Sequence, residues 1–283
     1  LRTGKTKSIG VVVNSLLGVF TMSVLHYAEI SFQLNDYSII ICNSNNDIET
    51  EKKKIKFLYD KGVDGLLIFP VSDQTEVKSI IGDSLPVVYV DHYPKENIGN
   101  CVLVDNVNAS YNATEHLIRS GHRRVGIISG PESISTTVER IKGYERAHED
   151  YSIEIDRNLI KSDSFSNENG YRMTVDLLEM NDPPTSIFIT SHDFLNGVVN
   201  ALNDRNIRFP GDISLVTFDH FEHTDNIKPL LTYVEQPYES IGTKAALAIV
   251  HILQGDENPV PKVIRCKTRL IRRDSVKKVD VKL

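Results

Sequence analysis

The feature of this sequence that most constrains its fold is a recurring run of branched aliphatic residues that stops at a small or polar residue. Seven such runs occupy residues 9–13, 39–41, 66–69, 87–90, 125–128, 187–189 and 213–218. Their short length, and the helical spacing of apolar residues between most of them, predict the strands of parallel β/α units. In an open parallel sheet, ligands bind outside the carboxyl ends of the strands. The polar residues that follow the runs are therefore expected to line a cleft.

The length of 283 residues favours two lobes, each large enough to bury its own core. One series of β/α units runs to residue 104, and the same rhythm begins again at Asp105. A long helix and two extended segments near the end depart from that rhythm and are expected to return in part to the first lobe. We predict an α/β fold of two Rossmann-like lobes joined by a multi-strand hinge: a linker at residues 1–7, an N-terminal lobe of residues 8–104 and 236–265, and a C-terminal lobe of residues 105–235 and 266–283.

Charge, hydropathy and cysteine usage exclude several classes of protein. A formal net charge of −6 is a poor basis for a large nucleic-acid footprint. No apolar stretch approaches the roughly 18 residues that a membrane span needs. Cys42, Cys101 and Cys266 are odd in number and widely spaced, which disfavours a disulfide framework and a zinc site. These features predict a cytoplasmic protein with no membrane contact.

The motifs of common cofactor enzymes are missing or misplaced. Gly4-Lys5-Thr6 precedes a strand, whereas a phosphate-binding loop follows one. No GxGxxG follows the first strand, so a dinucleotide is not expected. Ser129 stands one place away from the spacing of a nucleophile elbow, and we expect it to line the cleft. We predict no cofactor and no enzymatic activity.

Two further patterns have competing interpretations. His220 and His223 lie among acidic residues, but without a well-placed third ligand we expect solvated side chains and no metal. Asp91 and Asp219 end strands, where a carboxylate either accepts hydrogen bonds from ligand hydroxyls or caps the next helix. Aromatic residues such as Phe20 and Phe165 either stack on a ring or belong to the core; the sequence leaves both alternatives open.

Motifs along the whole chain resemble those of one family. They are LRTGKTKSIGVVV (1–13), CNSNND (42–47), VDGL (63–66), VLVDN (102–106), GHRR (121–124), ERIKGY (139–144), PGDISLV (210–216), EQP (235–237) and RDS (273–275). In this order they resemble the lactose and galactose repressor (LacI/GalR) family of bacterial transcription regulators. The resemblance implies the effector-binding core, without its DNA-binding headpiece, in a periplasmic-binding-protein-like (type I) fold. It also implies a homodimer.

The same resemblance implies a set of ligand-binding residues. By motif position, Arg140 grips the effector and Asp219 faces it. Phe165 and Phe20 fall at the positions of aromatic residues, and Asp91 at the polar end of the fourth strand.

The chain departs from the family pattern at two places. The first loop reads NSLLGVF (14–20) instead of P-D-x-x-N-P-F, and so lacks several polar groups. His192 stands where the family usually has asparagine, which replaces a neutral amide with an imidazole. The ligand is therefore expected to differ from that of common sugar-responsive members.

The leading hypothesis is a transcriptional repressor core that senses a small polar effector in the interlobe cleft, with a sugar, a sugar phosphate or a purine as candidates. Operator DNA would be contacted only through a headpiece that precedes Leu1. The alternative is a solute-binding protein of a sugar transporter, which shares the fold and the cleft. A third possibility is an enzyme that turns over the bound compound.

Overall fold

The computed structural model describes residues 4, 6–75, 77–93, 99–219, 226–255 and 262–279. The first part of the chain forms β1 (Ser8–Val13), α1 (Val19–Gln33), β2 (Ser38–Asn43), α2 (Ile48–Lys61), β3 (Gly65–Ile68), α3 (Val77–Ile81), β4 (Val87–Val90) and β5 (Asn100–Val104). The middle part forms α4 (Asn106–Arg119), β6 (Val125–Ser129), α5 (Ser135–Asp150), β7 (Ile160–Ser162), α6 (Asn167–Leu178), β8 (Ser186–Ile189), α7 (Leu195–Asp204), β9 (Ser214–Phe218) and β10 (Thr232–Glu235). The last part forms α8 (Tyr238–Gln254), β11 (Val263–Cys266) and β12 (Arg269–Ile271).

The chain folds into two compact units, one of residues 1–104 and 237–266 and the other of residues 105–236 and 267–283. At two of the places where the chain passes from one unit to the other, the boundary lies one residue later than predicted. Gln236 groups with the second unit, where its side chain bonds to Asp219, and Cys266 groups with the first unit, where it pairs with Val104. The expected linker falls partly outside the described residues, because residues 1–3 and 5 are not among them.

Each unit contains one six-stranded sheet, and the two sheets have matching strand orders. The orders are β11-β5-β4-β3-β1-β2 in the first unit and β12-β10-β9-β8-β6-β7 in the second. All described pairings are parallel except that of β10 with β12. The predicted fold of two lobes with parallel sheets and flanking helices is confirmed.

The apolar runs in the interior of each sheet form strands that are buried on both faces. Every residue of β3, β6, β8 and β9 is buried, which suits the continuous branched runs read from the sequence. The helices begin and end where local chemistry predicts. Asp47 caps α2 by accepting a 2.7 Å hydrogen bond from the Thr50 amide, and Gly62 ends it in the left-handed conformation.

Glycines allow the helices within each unit to cross closely. A Cβ on Gly242 of α8 would lie 2.3 Å from the Val24 carbonyl oxygen of α1. A Cβ on Gly143 of α5 would lie 2.2 Å from the Val107 carbonyl oxygen of α4. Backbone atoms that close leave no room for a side chain, so these positions fix how the helix pairs pack.

Two short 3-10 turns precede regular elements of the second unit. One, at His192–Phe194, comes directly before α7, and the other, at Arg157–Leu159, comes directly before β7. Both turns follow an Asp or Ser whose side chain accepts from the backbone two residues on, which favours a tight turn over a regular element. No helix formed by the described residues is long and apolar enough to span a membrane.

Candidate functional site

Four predicted site residues lie near the carboxyl ends of β6, β8 and β9 in the second unit. Ser129 is the last residue of β6, His192 comes three residues after β8, and Asp219 directly follows β9. Arg140 projects from α5 and reaches the residue after β8, Thr190. This edge of a parallel sheet is where ligands bind in open α/β folds.

Arg140 is buried, with 8% of its surface exposed, and is held by three different elements. Its Nε donates to Asn106 Oδ1 at 2.8 Å, and its Nη1 donates to the Thr190 carbonyl at 2.6 Å. Its Cζ lies 3.8 Å from the centre of the Phe218 ring. Charge-assisted hydrogen bonds and a cation–π contact therefore fix the plane of the guanidinium before any ligand arrives.

The packing of α5 explains why Arg140 reaches this position. Gly143, one turn further along, brings α5 against α4 at Val107. Tyr144 anchors the same turn to β6, because its buried hydroxyl donates to the Val125 carbonyl at 2.7 Å. Burial raises the pKa of the Tyr144 phenol, so it remains a neutral donor. Within the ERIKGY segment, Gly143 and Tyr144 thus fix the position of α5, and this position brings Arg140 to its partners.

Asp219 is a buried carboxylate that directly follows Phe218, the aromatic residue beneath Arg140. Its backbone is left-handed, with φ of 69°, and its amide donates to the Val234 carbonyl at 3.0 Å. Its Oδ1 accepts a 2.6 Å hydrogen bond from Gln236 Nε2. The residue before it, Phe218, is the one under Arg140. Backbone and side chain together hold this carboxylate in place.

Asn106 and Glu139 extend the arginine's environment and were not predicted as site residues. Asn106 is 1% exposed, and its Nδ2 donates to Glu139 Oε2 at 3.1 Å while its Oδ1 accepts from Arg140. The only signal in the sequence was their presence in the VLVDN and ERIKGY segments. Gln236 was missed in the same way, within the EQP segment.

Ser129 differs from the expectation that it lines a cleft. Its side chain is fully buried, and its Oγ accepts a 3.1 Å hydrogen bond from Thr190 Oγ1. The physical reason is that β6 lies between β8 and β7, so a small hydroxyl at its end is covered by the ends of the neighbouring strands. In the structure Ser129 supports Thr190, whose carbonyl binds Arg140.

Phe165 and His192 are partly exposed. The Phe165 ring stacks on Phe194, with ring centres 5.5 Å apart and an interplanar angle of 29°. It also lies against Gly130, where an added Cβ would be 2.2 Å from the ring. His192 Nε2 lies 3.4 Å from Asp193 Oδ1. Both rings are positioned by the protein while part of each surface remains accessible.

Phe20 and Asp91 belong to the first unit. Phe20 is half-buried on α1, edge-on to Tyr238 with ring centres 5.9 Å apart, and it packs against the core of that unit. Asp91 follows β4 with φ of 72°, and its Oδ2 lies 3.1 Å from His92 Nε2. Packing with Tyr238 thus accounts for part of the Phe20 surface without a ligand.

The metal alternative has no support among the residues that the structure describes. They contain no group of three or more His, Cys, Asp or Glu side chains that could hold an ion. His220 and His223 lie outside the described residues. Cys42, Cys101 and Cys266 are buried free thiols.

Comparison with known proteins agrees with this architecture. A family model for the periplasmic binding protein-like domain matches residues 114–276. The HTH-type transcriptional regulator RegA of Clostridium saccharobutylicum is 31% identical over 97% of this chain and 83% of its own length. The HTH-type transcriptional repressor PurR of Vibrio atlanticus is 28% identical over 98% of this chain and 83% of its own length. The structure of a putative ribose operon repressor from Burkholderia thailandensis has a TM-score of 0.86 and 27% identity, covering 94% of this chain and 99% of its own.

The fold and the matched family model define a periplasmic-binding-protein-like domain of the two-lobed class. Within that class, the chain belongs to the lactose and galactose repressor (LacI/GalR) family of bacterial transcription regulators. These relatives are transcription regulators rather than enzymes, and they favour regulation over the alternative of a transporter's solute-binding protein.

Proposed function

We propose that the second unit binds a sugar at the carboxyl ends of β6, β8 and β9, and that occupancy of this site controls operator binding by the regulator. The observation that carries the proposal is the buried Arg140, fixed by Asn106, the Thr190 carbonyl and the Phe218 ring beside Asp219. A rigid donor fork next to a carboxylate acceptor matches the alternating donors and acceptors of ring hydroxyls.

The charges near the site favour a neutral sugar over a sugar phosphate. Arg140 supplies one positive charge, whereas Asp219 and Asp193 at the same edge of the sheet supply two negative charges, and this balance disfavours a phosphate. Phe165 offers a partly exposed aromatic face for the apolar side of a sugar ring. The name of one structural neighbour, a ribose operon repressor, supports the same class of ligand.

Five of the predicted residues have a proposed role. Arg140 donates to ligand oxygens, Asp219 accepts from hydroxyls, Phe165 stacks and His192 contributes at the rim. Ser129 acts indirectly through Thr190. Contact between the ligand and Phe20 or Asp91 of the first unit stays a prediction.

We further propose that the regulator is a homodimer in which the first unit supplies an interface. Strand β2 ends its sheet, is six residues long and exposes Ile40 and Ile41 at 38% and 42%. Met22 on the neighbouring α1 and Leu34, directly after that helix, are exposed as well. A long edge strand with exposed apolar side chains favours pairing unless it is covered, and a second copy of the chain would cover it. A ligand preference for one dimer arrangement of about 1–3 kcal/mol is enough to change operator affinity.

A thermal-shift screen tests the ligand class. D-ribose, D-glucose, cellobiose, a pentose phosphate and hypoxanthine are each added to the 283-residue chain, and binding to the native state raises its melting temperature. We expect a neutral sugar to produce the largest shift. A shift with hypoxanthine or the phosphate alone would contradict the sugar assignment.

The variant Arg140→Ala then tests the site, with Arg146→Ala as a matched control. Arg146 lies on the same helix, stacks on Tyr111 at 4.5 Å and donates to Asn108 of α4, so it resembles Arg140 in its contacts but is exposed. We expect Arg140→Ala to weaken sugar binding by roughly 100-fold and Arg146→Ala to leave it unchanged. Equal effects of the two changes would remove Arg140 from the site.

A further inference from the structure

We infer that Asn106 is the positioning residue of the ligand-binding arginine, and that Glu139 fixes the orientation of the Asn106 amide. The inference rests on the proposed function, because it concerns how Arg140 is presented to the ligand. Asn106 itself is not proposed to touch the ligand.

Both ends of the Asn106 amide are used. Its Oδ1 accepts from Arg140 Nε at 2.8 Å, and its Nδ2 donates to Glu139 Oε2 at 3.1 Å. An amide rotated by half a turn would place its NH2 against the guanidinium and its oxygen against the carboxylate, and both contacts would be repulsive. The carboxylate of Glu139 therefore selects the amide orientation that Arg140 needs.

The surrounding structure makes Asn106 a rigid support. It is the first residue of α4, directly after the N-cap Asp105, whose side chain accepts from the Asn108 amide. The close crossing at Gly143 brings α5 against the same end of α4, so Glu139 and Arg140 both face Asn106 from one turn of helix. The asparagine is also nearly fully buried, which strengthens its hydrogen bonds relative to those in water.

Asn106→Asp distinguishes a positioning role from a merely structural one. The change keeps the acceptor for Arg140 but replaces the donor toward Glu139 with a second carboxylate oxygen. Two carboxylates at hydrogen-bond distance cannot both ionise easily, and Arg140 favours the charged form of Asp at 106, so the proton resides on Glu139. At low pH the protonated Glu139 donates and restores the arrangement; at high pH the two charges repel and Arg140 loses its support.

The first measurement needs no ligand. In protein labelled with 15N-arginine, the Nε–H signal of Arg140 is assigned by its loss in Arg140→Ala and is expected to exchange slowly in the wild type. In Asn106→Asp the protected signal should be present at about pH 5 and lost at about pH 8, whereas the wild type, measured at the same two pH values, should keep it at both. A signal that is equally protected at both pH values would overturn the inference that Asn106 holds the arginine.

The second measurement is the affinity for the sugar that gives the largest thermal shift, starting with D-ribose. Relative to wild type at the same pH, Asn106→Asp should bind normally near pH 5 and roughly tenfold more weakly near pH 8. Glu139→Gln replaces the carboxylate by an amide that can present either its oxygen or its NH2 to Asn106, so it should bind the sugar a few-fold more weakly than wild type at both pH values. The double variant N106D/E139Q, in which the glutamine amide donates to the new carboxylate, should regain affinity at both pH values.

The outcomes separate this inference from the proposed function. A pH-independent affinity of Asn106→Asp, with its NMR signal lost at high pH, would show that Arg140 placement does not control binding and would overturn the inference. Failure of the double variant to recover would do the same. If wild type binds none of the compounds, the proposed function fails, while the NMR measurement still decides whether Asn106 holds Arg140.

Discussion

The two units use one scaffold with different local chemistry. Their sheets have matching strand orders. The sequence V-x-x-D-H spans the end of each of the corresponding strands β4 and β9, and Asp91 and Asp219 are the first residues after these strands. Both aspartates are left-handed, with φ of 72° and 69°, and both donate their amide to the next strand. The shared fold therefore places a carboxylate at the same edge of each sheet.

The neighbours of the two carboxylates differ. Asp219 accepts from the buried Gln236 and follows the ring on which Arg140 lies. Asp91 lies beside His92 and is the more exposed of the two. The second unit thus presents a carboxylate together with a fixed guanidinium, whereas no arginine contact is described for Asp91.

The outer edges of the two sheets also differ. Strand β2 of the first unit has six residues and exposes two isoleucines, whereas β7 of the second unit has three residues and ends in Ser162. A short polar edge resists pairing, and a long apolar edge favours it. These differences support the proposal that the ligand binds to the second unit and that the dimer forms through the first.

The largest expected effect comes from the glycines that set the helix crossings. Gly143→Ala and Gly242→Ala should each lower the free energy of unfolding by on the order of 3 kcal/mol, because each new Cβ overlaps a backbone oxygen. Only Gly143→Ala should also abolish sugar binding by the folded protein, since it displaces Arg140. Urea titration and calorimetry measure the two effects, with exposed Lys142→Ala as the control. Loss of sugar binding in Gly242→Ala instead would contradict the proposal that the sugar binds to the second unit.

The second effect compares the two aspartates. Asn tolerates the left-handed backbone, so Asp219→Asn and Asp91→Asn preserve the fold and remove only the charge. We expect roughly 100-fold weaker sugar binding for Asp219→Asn and no more than about tenfold for Asp91→Asn. Titration calorimetry gives both values. The reverse order would place the main ligand contacts in the first unit.

A third prediction concerns acid stability. Burial lowers the pKa of His122 in the second unit to about 4, so its neutral form is favoured by folding. Its contribution is fully present above the unfolded pKa of about 6.5 and is lost as the pH falls toward 4, by on the order of 3 kcal/mol. The variant His122→Gln should flatten this part of the pH dependence in urea titrations. An unchanged slope between those pH values would contradict the assignment.

Glu51, a buried carboxyl group of the first unit, makes a contribution of opposite sign to the pH dependence of stability. Burial raises the pKa of Glu51, which accepts from the Val71 amide at 2.7 Å and from the Thr75 hydroxyl. A raised folded pKa gives stability at low pH that is lost as the pH rises through it, so Glu51 does not add to the acid loss. In urea titrations, the Glu51→Gln variant should therefore still lose stability as the pH falls from about 6.5 to 4.

The smallest effect tests assembly. Ile40→Lys combined with Ile41→Lys should raise the dimer dissociation constant by about tenfold or more, because two apolar contacts are replaced by like charges. Light scattering over a concentration series measures the mass. Ser162→Lys on β7 is the matched control and should leave the mass unchanged. A monomeric wild type would contradict the proposed homodimer.

Much of the fold was predictable because strand burial is a local property of the sequence. Runs such as residues 125–128 and 213–218 are buried on both faces, so their composition alone marks them as strands of a parallel sheet. The positions of Arg140 and Asp219 were expected from motif spacing within the family resemblance. That they serve as ligand contacts stays a prediction.

The partners of those residues were not predictable in the same way. Asn106, Glu139 and Gln236 act through hydrogen bonds between different segments of the chain, and the helix crossing at Gly143 helps to bring α4 and α5 together. The burial of Ser129 likewise depends on which strands flank β6 rather than on its own neighbours in sequence. Such features require the tertiary structure.

Hydrogen–deuterium exchange with and without saturating sugar shows whether the ligand is held in the second unit. We expect increased protection at the carboxyl ends of β6, β8 and β9 and at the start of α5, and this protection should be absent in Arg140→Ala. Protection confined to residues of the first unit, or unchanged by Arg140→Ala, would contradict it.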